Sequence, residues 1–224
     1  MLMKLSDILL HLLFPPKCVL CGKLLSDRQT DLCHDCRIHV PIAPAVHKKL
    51  PYLDQWTAVW YYDGVVRNSI LRFKFHNARS YAQAYGRMLA MELTKAEMTD
   101  FDILSWIPVS PLRRFFRGYD QCRLLAQAVA AELNAQPLPL LKKVRHNRPQ
   151  SRIQSNAARR ANVLGAYRVI DPNAVAGKRI LLLDDVITTG ATAGECARTL
   201  RLAGAKSVNC AAVARRHEIT KTSR

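Results

Sequence analysis

The sequence predicts an α/β fold, with a mostly parallel sheet flanked by helices and a small cysteine-rich module in front of it. Three features support this prediction. The four apolar residues 180–183 indicate a strand buried on both faces, as strands of parallel sheets are. Segments with strand-like and helix-like periodicity follow one another from residue 56 onwards. Two C-x-x-C pairs lie before residue 40.

The cysteine-rich module contains the pairs C-V-L-C at 18–21 and C-H-D-C at 33–36. Each pair places two thiolates on a tight turn, and two such turns can form a tetrahedral zinc site. A redox pair or two disulfides are the alternatives, but a redox motif needs only one pair, at the start of a helix. We therefore expect a structural zinc ion with no open position for catalysis, held by Cys18, Cys21, Cys33 and Cys36.

Three prolines between residues 38 and 53 mark a connector. We therefore predict two domains, an N-terminal helix with the zinc module and connector at 1–52 and an α/β domain at 53–224. The start of the chain has no cleavage-site pattern, which favours a short amphipathic helix on the chain's own core over a signal peptide. No apolar run reaches the roughly 18 residues that span a bilayer. The seven mostly dispersed cysteines favour a reducing compartment, so we expect a cytoplasmic protein.

The elements of the α/β domain are predicted from hydrophobic periodicity and from turn residues. In order they are strand 56–62, helices 65–75 and 81–93, strand 102–109, a basic loop 112–121, a helix at about 122–133, a long mobile loop 146–160, strand 163–170, the buried strand from 178, helix 191–203 and strand 207–214. On the first helix we expect Arg72, Lys74 and His76 to form a solvated basic face and not to contact a ligand.

Asp184 and Asp185 follow the buried strand at its carboxyl end, where open α/β sheets bind ligands. The segment 188–192 then offers hydroxyls, a glycine and free N–H groups at the start of a helix, which favour a phosphate. Two carboxylates beside it can accept hydrogen bonds from vicinal sugar hydroxyls and can lie near Mg²⁺ on a polyphosphate. The alternative, that these residues only cap the helix, does not require two aspartates and T-T-G-x-T. No Walker motif occurs. We therefore expect a phosphorylated ribose.

Positions 180–192 resemble, without a gap, the phosphoribosyl-diphosphate signature of type I phosphoribosyltransferases. The resemblance implies a type I phosphoribosyltransferase-like fold. It also implies that Asp184 and Asp185 bind the ribose hydroxyls. The residues that would hold the 5′-phosphate are Thr188, Thr189, Gly190, Ala191 and Thr192.

The basic stretch 112–121 is predicted to lie at the same sheet edge as the two aspartates. Arg113 and Arg117 can bind the pyrophosphate of the sugar donor there, because a guanidinium pairs bidentately with phosphate oxygens. In the alternative, this loop is solvated and Phe115 and Phe116 are packed into the core. We also assign Ser110, at the end of the preceding strand, to the donor-binding residues.

The net charge of +17 is concentrated in the middle of the chain. Residues 111–168 contain twelve basic and two acidic residues, far more than one sugar phosphate needs. Arginines interleaved with Phe115, Phe116 and Tyr119 offer phosphate contacts and stacking faces, so we expect single-stranded DNA as a partner. We expect the loop 146–160 to be a lid. The residues expected in lid or DNA contacts are Arg114, Phe115, Arg148, Arg152, Arg159 and Arg160.

The order of these motifs resembles the ComF family of competence and DNA-utilisation proteins over nearly the whole chain. After the cysteine pairs come I-P-V-S-x-x-R-x-x-x-R-G-Y-D-Q at 107–121, R-P-Q-S and R-R-A-N-V-x-G-A-Y within 148–167, and L-L-L-D-D-V-x-T-T-G-A-T at 181–192. The family's Arg-Gly motif corresponds to 117–118, and its Arg/Asn motif to Arg159 and Asn162. Tyr119 and Asp120 stand where the family often has Phe-Asn.

This resemblance implies a bacterial cytoplasmic protein that helps to carry incoming single-stranded DNA during transformation, with DNA-uptake proteins as possible partners. Its domain would bind Mg²⁺ with phosphoribosyl diphosphate. One alternative is an active phosphoribosyltransferase of nucleotide salvage that transfers 5-phosphoribose to a nitrogen acceptor. In that enzyme Asp184, Asp185, Arg113 and Arg117 would be the catalytic residues. Another is a DNA-binding factor that keeps the fold as a ligand sensor.

Overall fold

The computed structural model of the chain describes residues 15–26, 29–44, 49–145 and 156–217. The predicted N-terminal helix lies outside these ranges, as do residues 146–155 of the predicted lid, including Arg148 and Arg152. The helices within them are α1 His34–His39, α2 Gly64–Phe75, α3 Tyr81–Lys95, α4 Pro111–Arg117, α5 Gln121–Glu132, α6 Asn156–Val163 and α7 Ala191–Leu202. The strands are β1 Trp56–Tyr61, β2 Ile103–Trp106, β3 Leu141–Lys143, β4 Tyr167–Val169, β5 Arg179–Ile187 and β6 Ser207–Arg215.

The central sheet has four strands in the order β1-β6-β5-β2, and every pairing in it is parallel. β5 is an inner strand, so that Leu183 lies opposite Ala211 of β6 on one side and Trp106 of β2 on the other. β3 and β4 form a separate antiparallel pair. The prediction of a mostly parallel sheet flanked by helices is therefore confirmed.

Alternate residues of β5 face two separate hydrophobic cores, as the period of a strand requires. Leu181 and Leu183 pack in the core that α2, α3 and α5 contribute to. Ile180 and Leu182 pack in the other core, together with residues of α7. All four leucine and isoleucine side chains are almost fully buried, which confirms the prediction of a strand covered on both faces.

The cysteine-rich module is attached to α2 by hydrogen bonds from that helix to the backbone of the first cysteine turn. The hydroxyl of Ser69 donates to the carbonyl of Val19, and Arg72 Nη2 donates to the carbonyl of Leu20 at 2.6 Å. Arg72 is therefore not part of a solvated face. The division of the chain at residue 52 stays a prediction.

Two segments that we expected to be loops contain helices. The basic stretch 112–121 includes most of α4. Ser110 is the N-cap of this helix, Pro111 is its first residue, and Gly118, with φ 77°, is its C-cap. These are ordinary start and stop residues of a helix, and the stretch could have been predicted from them. The end of the predicted mobile loop 146–160 forms the first half of α6, so the loop prediction is wrong for residues 156–160.

Candidate functional site

Asp185 lies in the second half of β5 and is buried between two polar side chains from other elements. Its Oδ1 accepts a hydrogen bond from Lys74 Nζ at 2.5 Å, and its Oδ2 accepts one from Gln121 Nε2 at 2.6 Å. Burial alone would lower the pKa of Lys74, but the negative charge of Asp185 outweighs it, and the pKa is raised. Lys74 thus remains charged beside Asp185, and the expected solvated position of Lys74 is wrong.

Asp184 is half-buried next to Asp185, and the hydrogen bonds described for its carboxylate do not include a cation. Its Oδ1 accepts a hydrogen bond from the backbone N–H of Asp185 at 2.8 Å and lies 3.5 Å from Sγ of Cys122. Burial, and then the charge of Asp185, raise the pKa of Asp184 to about 7. A divalent cation near the pair would reduce this repulsion, and carboxylate oxygens are the ligands that Mg²⁺ prefers. The chemistry of the acid pair therefore fits Mg²⁺.

The turn after β5 is shaped by Gly190, which lies in the left-handed region with φ 73°. A Cβ on this glycine would lie 2.5 Å from a methyl carbon of Leu50 in the connector, so the turn is closely covered. The hydroxyl of Thr189 accepts a hydrogen bond from the N–H of Ala191 at 3.4 Å. α7 begins there and runs for 12 residues, with its free N–H groups at this edge of the sheet.

A cleft of about 1260 Å³ joins the acid pair to this turn, because Asp184, Asp185, Thr188 and Thr192 all line it. Its walls carry seven basic side chains, Arg67, Lys74, Arg79, Arg113, Arg117, Lys143 and Arg216. Burial, and then the charge of Arg117, lower the pKa of Arg113. Burial, and then the charge of Arg113, lower that of Lys143. Cations held against one another in this way favour an anionic ligand between them.

α4 forms one wall of this cleft and presents its aromatic residues to the outside. Phe115 is 80% exposed and Phe116 is 79% exposed, so the alternative that both pack into the core is wrong. Ser110 is buried at the start of α4, where its hydroxyl accepts a hydrogen bond from the N–H of Arg113. Tyr119 is also buried, and its hydroxyl donates a hydrogen bond to the carbonyl of Phe73. The prediction that Tyr119 offers a stacking face is therefore wrong.

Arg117 is connected to the acid pair through one intermediate side chain. Its guanidinium donates to Gln121 Oε1, and the amide of Gln121 donates to Asp185. The same guanidinium lies over the ring of Phe75, 5.1 Å from its centroid. The structure therefore brings Arg113, Arg117 and both aspartates to one cleft, although 64 residues separate Gln121 from Asp185.

The remaining predicted residues lie around this cleft or outside the described part of the chain. Arg114 is exposed on α4, and Arg159 and Arg160 lie on α6. The end of α6 reaches the cleft, which Asn162 and Val163 line.

The four cysteines of the N-terminal module converge, with their sulfur atoms within 4.8 Å of one another. The Sγ atoms of Cys21 and Cys33 are 3.6 Å apart, close to the roughly 3.8 Å that a tetrahedron with Zn–S bonds of about 2.3 Å requires. Burial would raise the pKa of Cys18, but hydrogen bonds from backbone N–H groups outweigh it and lower the pKa to about 7, which favours a thiolate ligand. The module therefore fits zinc.

Comparison with protein families gives two matches. A phosphoribosyl transferase domain matches residues 120–224, and a double zinc ribbon domain matches residues 9–49. The second match and the four-cysteine cluster support structural zinc. The first contains β5, the acid pair and the turn before α7.

Three curated relatives match most of the chain. Competence protein F of Haemophilus influenzae is 27% identical and covers 89% of this chain and 96% of its own length. DNA utilization protein YhgH of Escherichia coli O157:H7 is 28% identical over 85% of this chain and 86% of its own. Competence protein ComFC of Streptococcus pneumoniae is 28% identical over 84% and 77%. Over most of its length the chain is therefore similar to competence and DNA-utilization proteins of the ComF family, and it matches a phosphoribosyl transferase domain and a double zinc ribbon domain.

Three residues of this site were missed from the sequence. Lys74 looked like part of a basic helix surface, and Cys122 like a core residue. Gln121 belonged to the ComF motif at 107–121 without an assigned role. Their shared function in the structure, to surround the acid pair, depends on how α2 and α5 pack beside β5, and the sequence pattern gives no signal of that packing.

Within the residues that the structure describes, the chain has no helix that is long and apolar enough to cross a bilayer.

Proposed function

We propose that this ComF protein binds phosphoribosyl diphosphate with Mg²⁺ in the cleft between β5, α7 and α4. We further propose that it acts in the cytoplasm on single-stranded DNA that enters during transformation, together with proteins of the DNA-uptake machinery. The observation that supports the first part most strongly is the position of both aspartates beside the turn of α7, inside a cleft lined with partly buried cations.

Each part of the ligand has a chemical counterpart in this cleft. The N–H groups at the start of α7 and the hydroxyls of Thr188 and Thr192 suit the 5′-phosphate. The carboxylates of Asp184 and Asp185 suit the vicinal ribose hydroxyls. Arg113 on α4 suits the pyrophosphate, because its positive charge is only partly solvated. Bound Mg²⁺ would neutralise part of the pyrophosphate charge.

An active phosphoribosyltransferase is the second candidate, and the partly buried Arg113 favours it. In that reaction a nitrogen atom of the acceptor forms a bond to C1 of the ribose while the bond from C1 to pyrophosphate breaks. The departing pyrophosphate gains negative charge in the transition state, and Arg113 and Arg117 would stabilise it. The acid pair would hold the ribose by its hydroxyls.

Two assays separate these candidates. Pyrophosphate release is measured with Mg²⁺, phosphoribosyl diphosphate and a panel of nitrogen bases, and DNA binding with a fluorescent single strand at several salt concentrations. Turnover that D184N abolishes and D171N retains would favour the enzyme, since Asp171 is exposed and is not among the described residues that line the cleft. DNA binding whose log K falls linearly with log salt, without turnover, would favour the binding protein. Neither turnover nor DNA binding would contradict both.

A further inference from the structure

α4 separates two cavities. The first is the phosphate cleft, and the second has a volume of about 840 Å³. Residues 112, 113, 116 and 117 line the first, while residues 111 and 114 line the second. These two sets lie on opposite sides of a helix with 3.6 residues per turn. Phe115 reaches both cavities from the exposed edge of α4, and the other residues that line both are Pro108, Val109, Gly118 and Lys143.

The second cavity, which we call the basic groove, is lined by exposed cations. Arg114, Arg123 and Lys142 line it and are exposed. Among the described residues that line it, Asp120 is the one acid, and its carboxylate accepts hydrogen bonds from the N–H groups of Val109, Cys122 and Arg123. Asp120 is thus engaged as the N-cap of α5. Three cations in this groove face solvent beside one acid that is already hydrogen bonded.

The same groove also has an apolar lining and an exposed aromatic ring beside its cations. Pro137, Pro139 and Trp106 line it, and the exposed ring of Phe115 stands at its edge. Flat rings next to cations match a polyanion with accessible planar faces. Nucleobases of a single strand have such faces, whereas those of a duplex are covered by their stacked neighbours.

We propose that single-stranded DNA binds in the basic groove and not in the phosphate cleft, so that the strand and phosphoribosyl diphosphate occupy opposite sides of α4 at the same time. This inference rests on the proposed function and adds the location of the strand. The phosphates would contact Arg114, Arg123 and Lys142, and a base would stack on Phe115.

Fluorescence anisotropy with a labelled oligo-dT tests this location in the full chain. We expect R123A and K142A each to weaken binding and to reduce the slope of log K against log salt by about 0.7. We expect F115A to weaken binding by about 5- to 150-fold, the value of one lost stacking contact. Saturating phosphoribosyl diphosphate with Mg²⁺ should leave the oligonucleotide bound. Thermal melting of each variant checks that it is folded.

Two variants of the phosphate cleft complete the experiment. Phe116 is as exposed as Phe115, but it lines only the phosphate cleft and not the basic groove. The same holds for the exposed Arg67. Loss of binding in F116A and R67A with R123A and K142A unchanged would overturn the inference, as would displacement of the strand by phosphoribosyl diphosphate. Either result would leave the proposed DNA function standing. No binding of the wild type at low salt would instead contradict that function itself.

Discussion

The Cys₄ module and the phosphate cleft are both polar centres, but they treat their charges in opposite ways. In the module, four sulfur atoms converge within 4.8 Å, and no position would remain open around a zinc ion. In the cleft, burial and then the charge of Asp185 raise the pKa of Asp184, and burial and then the charge of Arg117 lower the pKa of Arg113, so that both groups are shifted toward the neutral form. The first arrangement stabilises the fold, whereas the second keeps unfavourable charge contacts that a ligand can relieve. Such unrelieved contacts are typical of functional sites.

α2 connects the two regions. Ser69 and Arg72 donate hydrogen bonds to the carbonyls of the first cysteine turn, and Lys74 at the end of the same helix pairs with Asp185. The position of Lys74 at the cleft therefore depends on the helix that the module supports. The following predictions test how different the two regions are.

The largest effect is expected from breaking the Cys₄ module. C33S should reduce bound zinc from one ion per chain to none, because three thiolates hold zinc far less tightly than four. A loss of only about 3 kcal/mol of stability would lower Tm by about 10 °C in a chain of this size. The measurement is metal analysis together with thermal melting.

C196A is the matched control for this change. Cys196 is fully buried in α7, so its removal costs packing but leaves the zinc ligands in place. Full zinc content in C33S would contradict the assignment of the module.

The next effect concerns the buried ion pair in the cleft. K74M removes the cation beside Asp185 and leaves a buried carboxylate without its partner, which should cost about 3–5 kcal/mol in urea unfolding. The double variant K74M/D185N should recover most of that loss, because no uncompensated charge remains. If the double variant were as unstable as K74M, the pair would not be the cause.

Removing the charge of Asp184 should change the stability in the opposite direction, toward a more stable protein. Its folded-state pKa of about 7 lies above the value of about 3.9 expected in the unfolded chain. Between about pH 4 and pH 7 the folded protein keeps a proton that the unfolded chain has lost, so this group makes stability fall as pH rises, and the loss persists above pH 7.

D184N lacks this titration and should therefore be more stable than the wild type at pH 8, by about 1–3 kcal/mol. At pH 4 the difference should nearly vanish. Urea unfolding of both proteins at the two pH values is the measurement. A variant that is less stable than the wild type at pH 8 would show that Asp184 is not under electrostatic strain.

The smallest expected effect is the difference between two glycine substitutions, one of them in the turn before α7. G190A introduces a Cβ at φ 73° that would lie 2.5 Å from Leu50, whereas Gly177 has the same φ with nothing within 4 Å. The left-handed conformation alone should cost about 1–2 kcal/mol in G177A. G190A should cost about 1 kcal/mol more, from the contact with Leu50. Equal losses in the two variants would mean that the connector does not cover the turn.

The sequence was sufficient for features whose residues are contiguous. β5, the two aspartates and the turn before α7 lie within one stretch, and the four cysteines lie in two short motifs. Their local patterns therefore contain nearly all the information. The cleft also depends on residues that are distant in sequence, Lys74 and Gln121, which reach Asp185 only because α2 and α5 pack on the same face of the sheet.

The prediction of a loop in place of α4 failed for a different reason. Ser110, Pro111 and Gly118 are regular helix signals, but the basic residues between them favoured the interpretation as a phosphate-binding loop. Only the alternative of a solvated loop placed Phe115 and Phe116 in the core, whereas the short surface helix exposes both rings. Tyr119 differs from both because its hydroxyl finds a backbone acceptor inside the core.

Isothermal titration calorimetry with phosphoribosyl diphosphate and Mg²⁺ tests the central claim most directly. We predict that the wild type binds one molecule per chain, that D184N and T192V bind at least tenfold more weakly, and that D171N binds like the wild type. Two results would contradict the claim that the acid pair and the turn of α7 form the phosphoribose site. One is wild-type affinity in both D184N and T192V, and the other is the absence of any measurable heat when phosphoribosyl diphosphate is added to the wild type.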